Sequence, residues 1–122
     1  MKRLNLHVLG LLAENRNCII VDATRKGKRF PDSFSRTMPI WVCVMNRVLA
    51  IKKGKQNDDI WSKLRMPPWI PESERSLVER ILPEFVTTVL NADPVQAEIT
   101  RLAELINFPV CCYWVSHDTG SI

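Results

Sequence analysis

The chain has 122 residues, of which 46% are hydrophobic and 25% charged, and these values fit one globular domain and exclude wholesale disorder. Its net charge of +4 is uneven, because residues 24–55 carry nine Lys or Arg and one acid whereas residues 56–122 carry five bases and ten acids. This asymmetry indicates a local anion site and argues against a general coat for nucleic acid or membrane.

The N-terminal half predicts a strand, a loop and a helix. Residues 4–13 suit either a short helix or a strand, and residues 18–23 form a continuous β-favouring run typical of a buried parallel strand. A polar loop follows over residues 24–32. Apolar spacing then predicts a helix over about 33–53. Because a proline disfavours helical geometry at the residue before it, the helix can begin at Pro39 instead, with residues 33–38 as a separate turn.

The C-terminal half predicts three helices. Apolar spacing indicates a helix over residues 72–82, after which Pro83 opens a separate short helix over residues 84–91. Asp93 and Pro94 supply a cap and a first-position proline for a third helix, which ends near residue 107.

A second β-favouring run over residues 110–115 completes the predicted fold. Two buried strands separated by helices predict an α/β class, a small parallel-strand layer covered by helices. Two strands make a poor sheet, so we expect either an incomplete domain or further strands from the N-terminal residues or a partner. Four tryptophans in apolar contexts are expected to be core anchors: Trp41, Trp61, Trp69 and Trp114.

The loop after the first strand is the candidate site. Asp22 ends the strand, and four cations follow around Gly27: Arg25, Lys26, Lys28 and Arg29. Ligands bind at strand ends and helix N-termini in α/β folds, so this cluster predicts a phosphate contact more readily than a solvated charge run. Hydroxyl groups that can bind the same phosphates, or act as caps and turn residues, belong to Thr24, Ser33, Ser35 and Thr37.

Asp22 has several interpretations that the sequence leaves open. At a strand end it can bind a metal ion, accept from a ribose hydroxyl or act as a general base. It can equally cap the following turn and pair with Arg25. The sequence has no nucleoside-triphosphate loop and no dinucleotide-binding glycine motif, and the isolated His7 and His117 support no metal site.

The cysteines and the apolar runs bear on the cellular compartment. Cys18, Cys43, Cys111 and Cys112 match neither zinc spacing nor a disulfide framework, which favours buried free thiols in a reducing compartment. The apolar run over residues 38–51 is too short for a bilayer. We therefore expect a cytoplasmic protein without a membrane association, and no protein partner is evident.

Residues 18–41 closely resemble the initiator-tRNA 2′-O-ribosylphosphate transferase family. They read CIIVDATRKGKRFPDSFSRTMPIW and continue to Asn46-Arg47. Residues 67–70 (PPWI) with Ser73-Glu74 resemble the second landmark of that family, and residues 109–116 resemble its next strand. The resemblance covers about residues 17–116.

The resemblance implies a fungal- and plant-type enzyme that modifies initiator methionine tRNA. It would transfer a 5-phosphoribosyl group from phosphoribosyl pyrophosphate to the 2′-hydroxyl of a T-stem adenosine, which bars the tRNA from elongation. Asp22 and Asp32 are then the candidate catalytic residues, able to bind Mg²⁺-pyrophosphate, orient the ribose or take the hydroxyl proton. The candidate phosphate ligands are Thr24, Arg25, Lys26, Gly27, Lys28, Arg29, Ser33, Ser35, Arg36 and Thr37.

Departures from the family indicate a fragment. Family members are several times longer and carry a further domain resembling dual-specificity phosphatases. We expect a divergent lead-in over residues 1–16, a partial N-terminal-type domain over 17–116 and a tail over 117–122. The alternatives to an active transferase are a non-catalytic phosphate- or tRNA-binding module and an inactive truncated isoform.

Overall fold

The computed structural model describes residues 4–15 and 36–113. Its helices are α1 (Leu6–Asn15), α2 (Met38–Lys53), α3 (Asp59–Ser62), α4 (Glu72–Leu90) and α5 (Gln96–Leu105), with a 3₁₀ turn at Asp93–Val95. No strand occurs among these residues, so the predicted α/β class with a parallel-strand layer is wrong. The first predicted strand, residues 18–23, lies outside the described residues.

The second predicted strand is irregular backbone as far as Tyr113. The Val110 N–H donates to Asn46 Oδ1 at 2.8 Å, and Asn46 Nδ2 donates to the Val110 carbonyl oxygen at 2.9 Å. One buried side-chain amide in α2 therefore satisfies both backbone groups that a neighbouring strand would have satisfied. A β-favouring composition does not make a strand where a helix supplies the hydrogen-bond partners.

Helix α2 is the centre of the fold and is buried on nearly every side. It packs against α3, α4 and α5, as expected for a helix that is apolar around its circumference. It begins at Met38 with Pro39 in its first turn, which agrees with the later of the two predicted starts. Gly54 ends it at φ 73°, where glycine has no steric cost, and its N–H bonds to the carbonyls of Ala50 and Ile51.

Helix α4 runs through Pro83, where the sequence predicts a break. A proline inside a helix removes a backbone hydrogen bond and costs about 3 kcal/mol. The inner face is buried on both sides of this residue, by Val78, Leu82, Val86 and Val89. Burying each such side chain contributes roughly 1.5–3 kcal/mol, so packing outweighs the proline and the two predicted helices are one.

The N-terminal run is a helix, α1, and it packs against α5. Trp41 joins it to α2, because its indole N–H donates to the Leu4 carbonyl at 2.6 Å. Trp61 is 1% exposed and is a core anchor, as predicted, whereas Trp69 is 48% exposed and is not. None of the described helices combines the length and apolarity needed to span a membrane.

Helix α3 has no periodic signal in the sequence, because it is a single turn. Asp58 begins it by accepting a hydrogen bond from the Ile60 N–H at 3.1 Å. The turn buries Trp61 and leads into the irregular segment 63–67.

Candidate phosphate-binding site

Most of the predicted phosphate loop lies outside the described residues. This holds for Asp22, Thr24, Arg25, Lys26, Gly27, Lys28, Arg29, Asp32, Ser33 and Ser35. Their roles therefore stay predictions. Of the predicted phosphate ligands, the structure describes Arg36 and Thr37, which lie directly before α2.

Arg36 is held against the start of α4 by an ion pair with Glu74. Arg36 Nε contacts Glu74 Oε1, and Arg36 Nη2 donates to Glu74 Oε2 at 3.2 Å, so the pair is bidentate. Glu74 lies in the first turn of α4, where the helix dipole favours a negative charge. This pair holds Arg36, which follows the predicted loop, against the folded helices. Thr37 is exposed and makes no capping bond to α2.

Two further arginines bond to backbone carbonyls of α3. Arg47 Nε donates to the Ser62 carbonyl at 2.9 Å, and Arg65 Nη2 donates to the Ile60 carbonyl at 3.2 Å. Both residues are half-buried. We call Arg47 and Arg65 the arginine pair. It joins the middle of α2 to the end of α3.

A third arginine reaches the same segment from α4. Arg75 Nη2 donates to the Leu64 carbonyl at 2.5 Å, and its Nε lies 3.9 Å from Glu79 Oε1. Arg75 thus has both a backbone and a carboxylate partner. Guanidinium groups from α2, α4 and the connecting segment consequently surround residues 60–64.

The thiols beside the arginine pair are neutral at ordinary pH. Cys43 donates to the Ser62 carbonyl at 3.7 Å, and burial raises its pKa although the arginine pair acts to lower it. Burial, with a contribution from Cys111, raises the pKa of Cys112 to about 11, and Arg65 opposes this. Cys43 is buried as predicted, but Cys111 is exposed, so that prediction is wrong for it. Cys18 lies outside the described residues.

Metal ligands do not gather in the part of the chain that the structure describes. No group of three His, Cys, Asp or Glu side chains there is arranged to hold a metal ion. The carboxylates predicted to contact Mg²⁺-pyrophosphate, Asp22 and Asp32, are not among these residues.

Comparison with known proteins places this helical domain in a family. A family model described as the Rit1 N-terminal domain matches residues 1–122. The chain belongs to this family. The tRNA A64-2′-O-ribosylphosphate transferase of Saccharomyces cerevisiae is 42% identical over 86 residues, which are 70% of this chain. An uncharacterized protein of Schizosaccharomyces pombe is 31% identical over 115 residues, which are 94% of this chain.

These matches confirm the family that residues 18–41 of this Rit1 domain indicated. The chain spans only part of its curated relatives, 17% of the Saccharomyces cerevisiae protein and 25% of the Schizosaccharomyces pombe protein. No solved structure matches the chain.

Sequence reasoning missed the arginines around residues 60–64 of this Rit1 domain. Arg65 and Arg75 stand alone in the sequence and form no charge run. Arg47 had two signals: it is among the residues that resemble the family, and with Asn46 it interrupts an otherwise apolar helix. Such an interruption predicts a buried polar contact without indicating its partner.

Proposed function

We propose that this chain supplies the phosphoribosyl-donor site of a tRNA ribosylphosphate transferase that acts in the cytoplasm. The observation that carries the proposal is the 42% identity to a protein named as such a transferase. We assign the site to residues 17–116, with residues 1–16 as a lead-in and 117–122 as a tail. The fixed position of Arg36 before α2 supports a loop that is anchored at its C-terminal end.

The proposed reaction joins phosphoribosyl pyrophosphate to the T-stem adenosine of initiator methionine tRNA. The 2′-hydroxyl oxygen of the adenosine bonds to the anomeric carbon of the donor ribose, and the bond from that carbon to pyrophosphate breaks. The hydroxyl proton passes to a carboxylate, and pyrophosphate leaves. The protein must therefore hold a diphosphate, position a ribose hydroxyl and accept one proton.

The predicted loop contains the residue types that these tasks require. Arg25, Lys26, Lys28 and Arg29 would neutralise the pyrophosphate, and Asp22 or Asp32 would take the proton. The same carboxylates can bind Mg²⁺, which would shield the charge of the departing pyrophosphate. Arg36 would reach the donor only if its bond to Glu74 were exchanged for one to phosphate.

Donor binding tests the assignment of the loop. In calorimetry with phosphoribosyl pyrophosphate, the Arg25→Ala and Lys28→Ala variants should bind at least about 10-fold more weakly, because each loses a charge-assisted contact. Lys55→Ala is the matched control, since Lys55 is an exposed cation of the same basic half. Equal losses in all three variants would indicate only general electrostatic attraction. Unchanged affinity in the loop variants would refute the site.

A transfer assay tests the reaction itself. The chain is incubated with labelled phosphoribosyl pyrophosphate and either initiator or elongator tRNA, and label in the tRNA is measured. The proposal expects label in initiator tRNA that depends on Asp22 or Asp32. Binding of tRNA without transfer would favour the alternative, a non-catalytic phosphate- or tRNA-binding module.

A further inference from the structure

The arginine pair differs from Arg36, Arg75 and Arg101 in its electrostatic partners. Arg36, Arg75 and Arg101 each contact a glutamate. Arg47 and Arg65 are half-buried, yet within the described residues they bond to backbone carbonyls and, for Arg47, to a thiol. A partly desolvated guanidinium is costly without an anion, and these neutral partners occupy only part of its planar set of donors.

Among the described residues, no ion pair joins Arg47 or Arg65 to a carboxylate. The thiols on which these arginines act, those of Cys43 and Cys112, stay neutral because burial raises their pKa values. Glu79 is the carboxylate that acts on Cys43, and it is paired with Arg75. Arg47 and Arg65 bond to the carbonyls of Ser62 and Ile60, which are two residues apart in α3, so both guanidinium groups lie at one turn of the chain.

We propose that the arginine pair, Arg47 and Arg65, binds a phosphate group beside the segment 60–64. Their bonds to the Ser62 and Ile60 carbonyls orient the guanidinium groups in advance, so little side-chain entropy remains to be lost on binding. Both side chains keep contact with solvent, which gives an anion access. The site rests on the proposed function, because both substrates of that reaction carry phosphate.

Two sources can supply this phosphate, the donor and the RNA backbone, and binding measurements distinguish them. The variants are Arg47→Gln and Arg65→Gln. Arg80→Gln is the matched control, since Arg80 lies exposed on α4. The probes are phosphoribosyl pyrophosphate in calorimetry and initiator tRNA in filter binding over a range of salt concentrations. Thermal unfolding of each variant is measured with and without sodium pyrophosphate. The rise in unfolding temperature reports binding, and each variant without pyrophosphate is its own reference.

If the pair binds the donor, each substitution should weaken phosphoribosyl pyrophosphate binding about 10-fold or more. It should also abolish the rise in unfolding temperature that pyrophosphate causes in the parent. An RNA-backbone site would instead weaken tRNA binding and reduce the slope of log affinity against log salt by roughly 0.7–0.9 per lost contact. Either result supports the proposal if Arg80→Gln resembles the parent. If a glutamine variant does not fold, Arg47→Lys or Arg65→Lys takes its place. Lysine keeps the positive charge but lacks the planar set of N–H donors, so these variants should still bind the phosphate probes more weakly than the parent.

Unchanged affinity for both probes would overturn the proposal and leave the pair as a purely structural link between α2 and α3. Failure of the parent to bind either probe would overturn it as well. Failure of the proposed function has a different signature, since transfer would be absent while the variants still lost phosphate binding.

Discussion

Replacing Asn46 with alanine should destabilise the fold by about 2–3 kcal/mol. The Asn46 side chain is 1% exposed and binds both backbone groups of Val110. A buried polar group that loses its partner costs roughly 1–3 kcal/mol. Val110 is only half-buried, so the lower end, about 1 kcal/mol, applies to each of its two groups. The cavity left by the shorter side chain accounts for the remainder.

Urea unfolding followed by circular dichroism measures this loss for the parent and for Asn46→Ala. Asn91→Ala is the control, because Asn91 is exposed and its removal should change stability by no more than about 0.5 kcal/mol. Hydrogen exchange gives a local measure, since the Val110 amide should be protected in the parent and exchange faster in Asn46→Ala. Equal unfolding free energies, or an unchanged exchange rate at Val110, would refute the reasoning.

Four further predictions concern a helix, an ion pair and the thiols. Pro83→Ala should raise the thermal midpoint, because it restores a backbone bond in α4 at an exposed position, and a lower midpoint would contradict this. The Arg36–Glu74 pair is partly exposed, so a double-mutant cycle should show a coupling of about 0.5–1 kcal/mol that falls with added salt, and salt-independent coupling would argue against an ionic origin. At pH 8, iodoacetamide should label Cys111 much faster than Cys112, because burial raises the pKa of Cys112 to about 11, and mass spectrometry can compare the two. This raised pKa also means that unfolding free energy should fall as pH rises from about 8.5 towards 11, since the unfolded thiol ionises first.

The helices were the most predictable part of the fold. The spacing of apolar residues marked α2 and most of α4, because a helix with a buried face repeats its apolar positions locally. Pro83 misled the prediction, since a local rule takes no account of burial on both sides of the proline. The single turn of α3 was missed because its stability comes from Trp61 in the core and not from a repeat.

The candidate site likewise has one part that the sequence predicts and one part that it does not. The basic loop over residues 24–32 was visible in the sequence as a dense charge cluster, and the order of residues 18–41 was enough to indicate the family. The arginine pair was not visible, because Arg47 and Arg65 come together only through the packing of α2 against α3. Neither residue belongs to a motif whose spacing predicts the contact.

The sequence by itself determined the family, the central helix and the basic character of the loop, because each depends on residues that are close together along the chain. The tertiary structure alone decided that residues 110–113 do not form a strand. It also decided that Arg47 and Arg65, both half-buried, bond to the same turn, α3. In both cases the deciding partner is remote, as with Asn46 and Val110, which are 64 residues apart. A backbone segment forms a strand only when another strand supplies partners for its N–H and carbonyl groups. Here the side-chain amide of Asn46, in the buried helix α2, supplies those partners to Val110 instead.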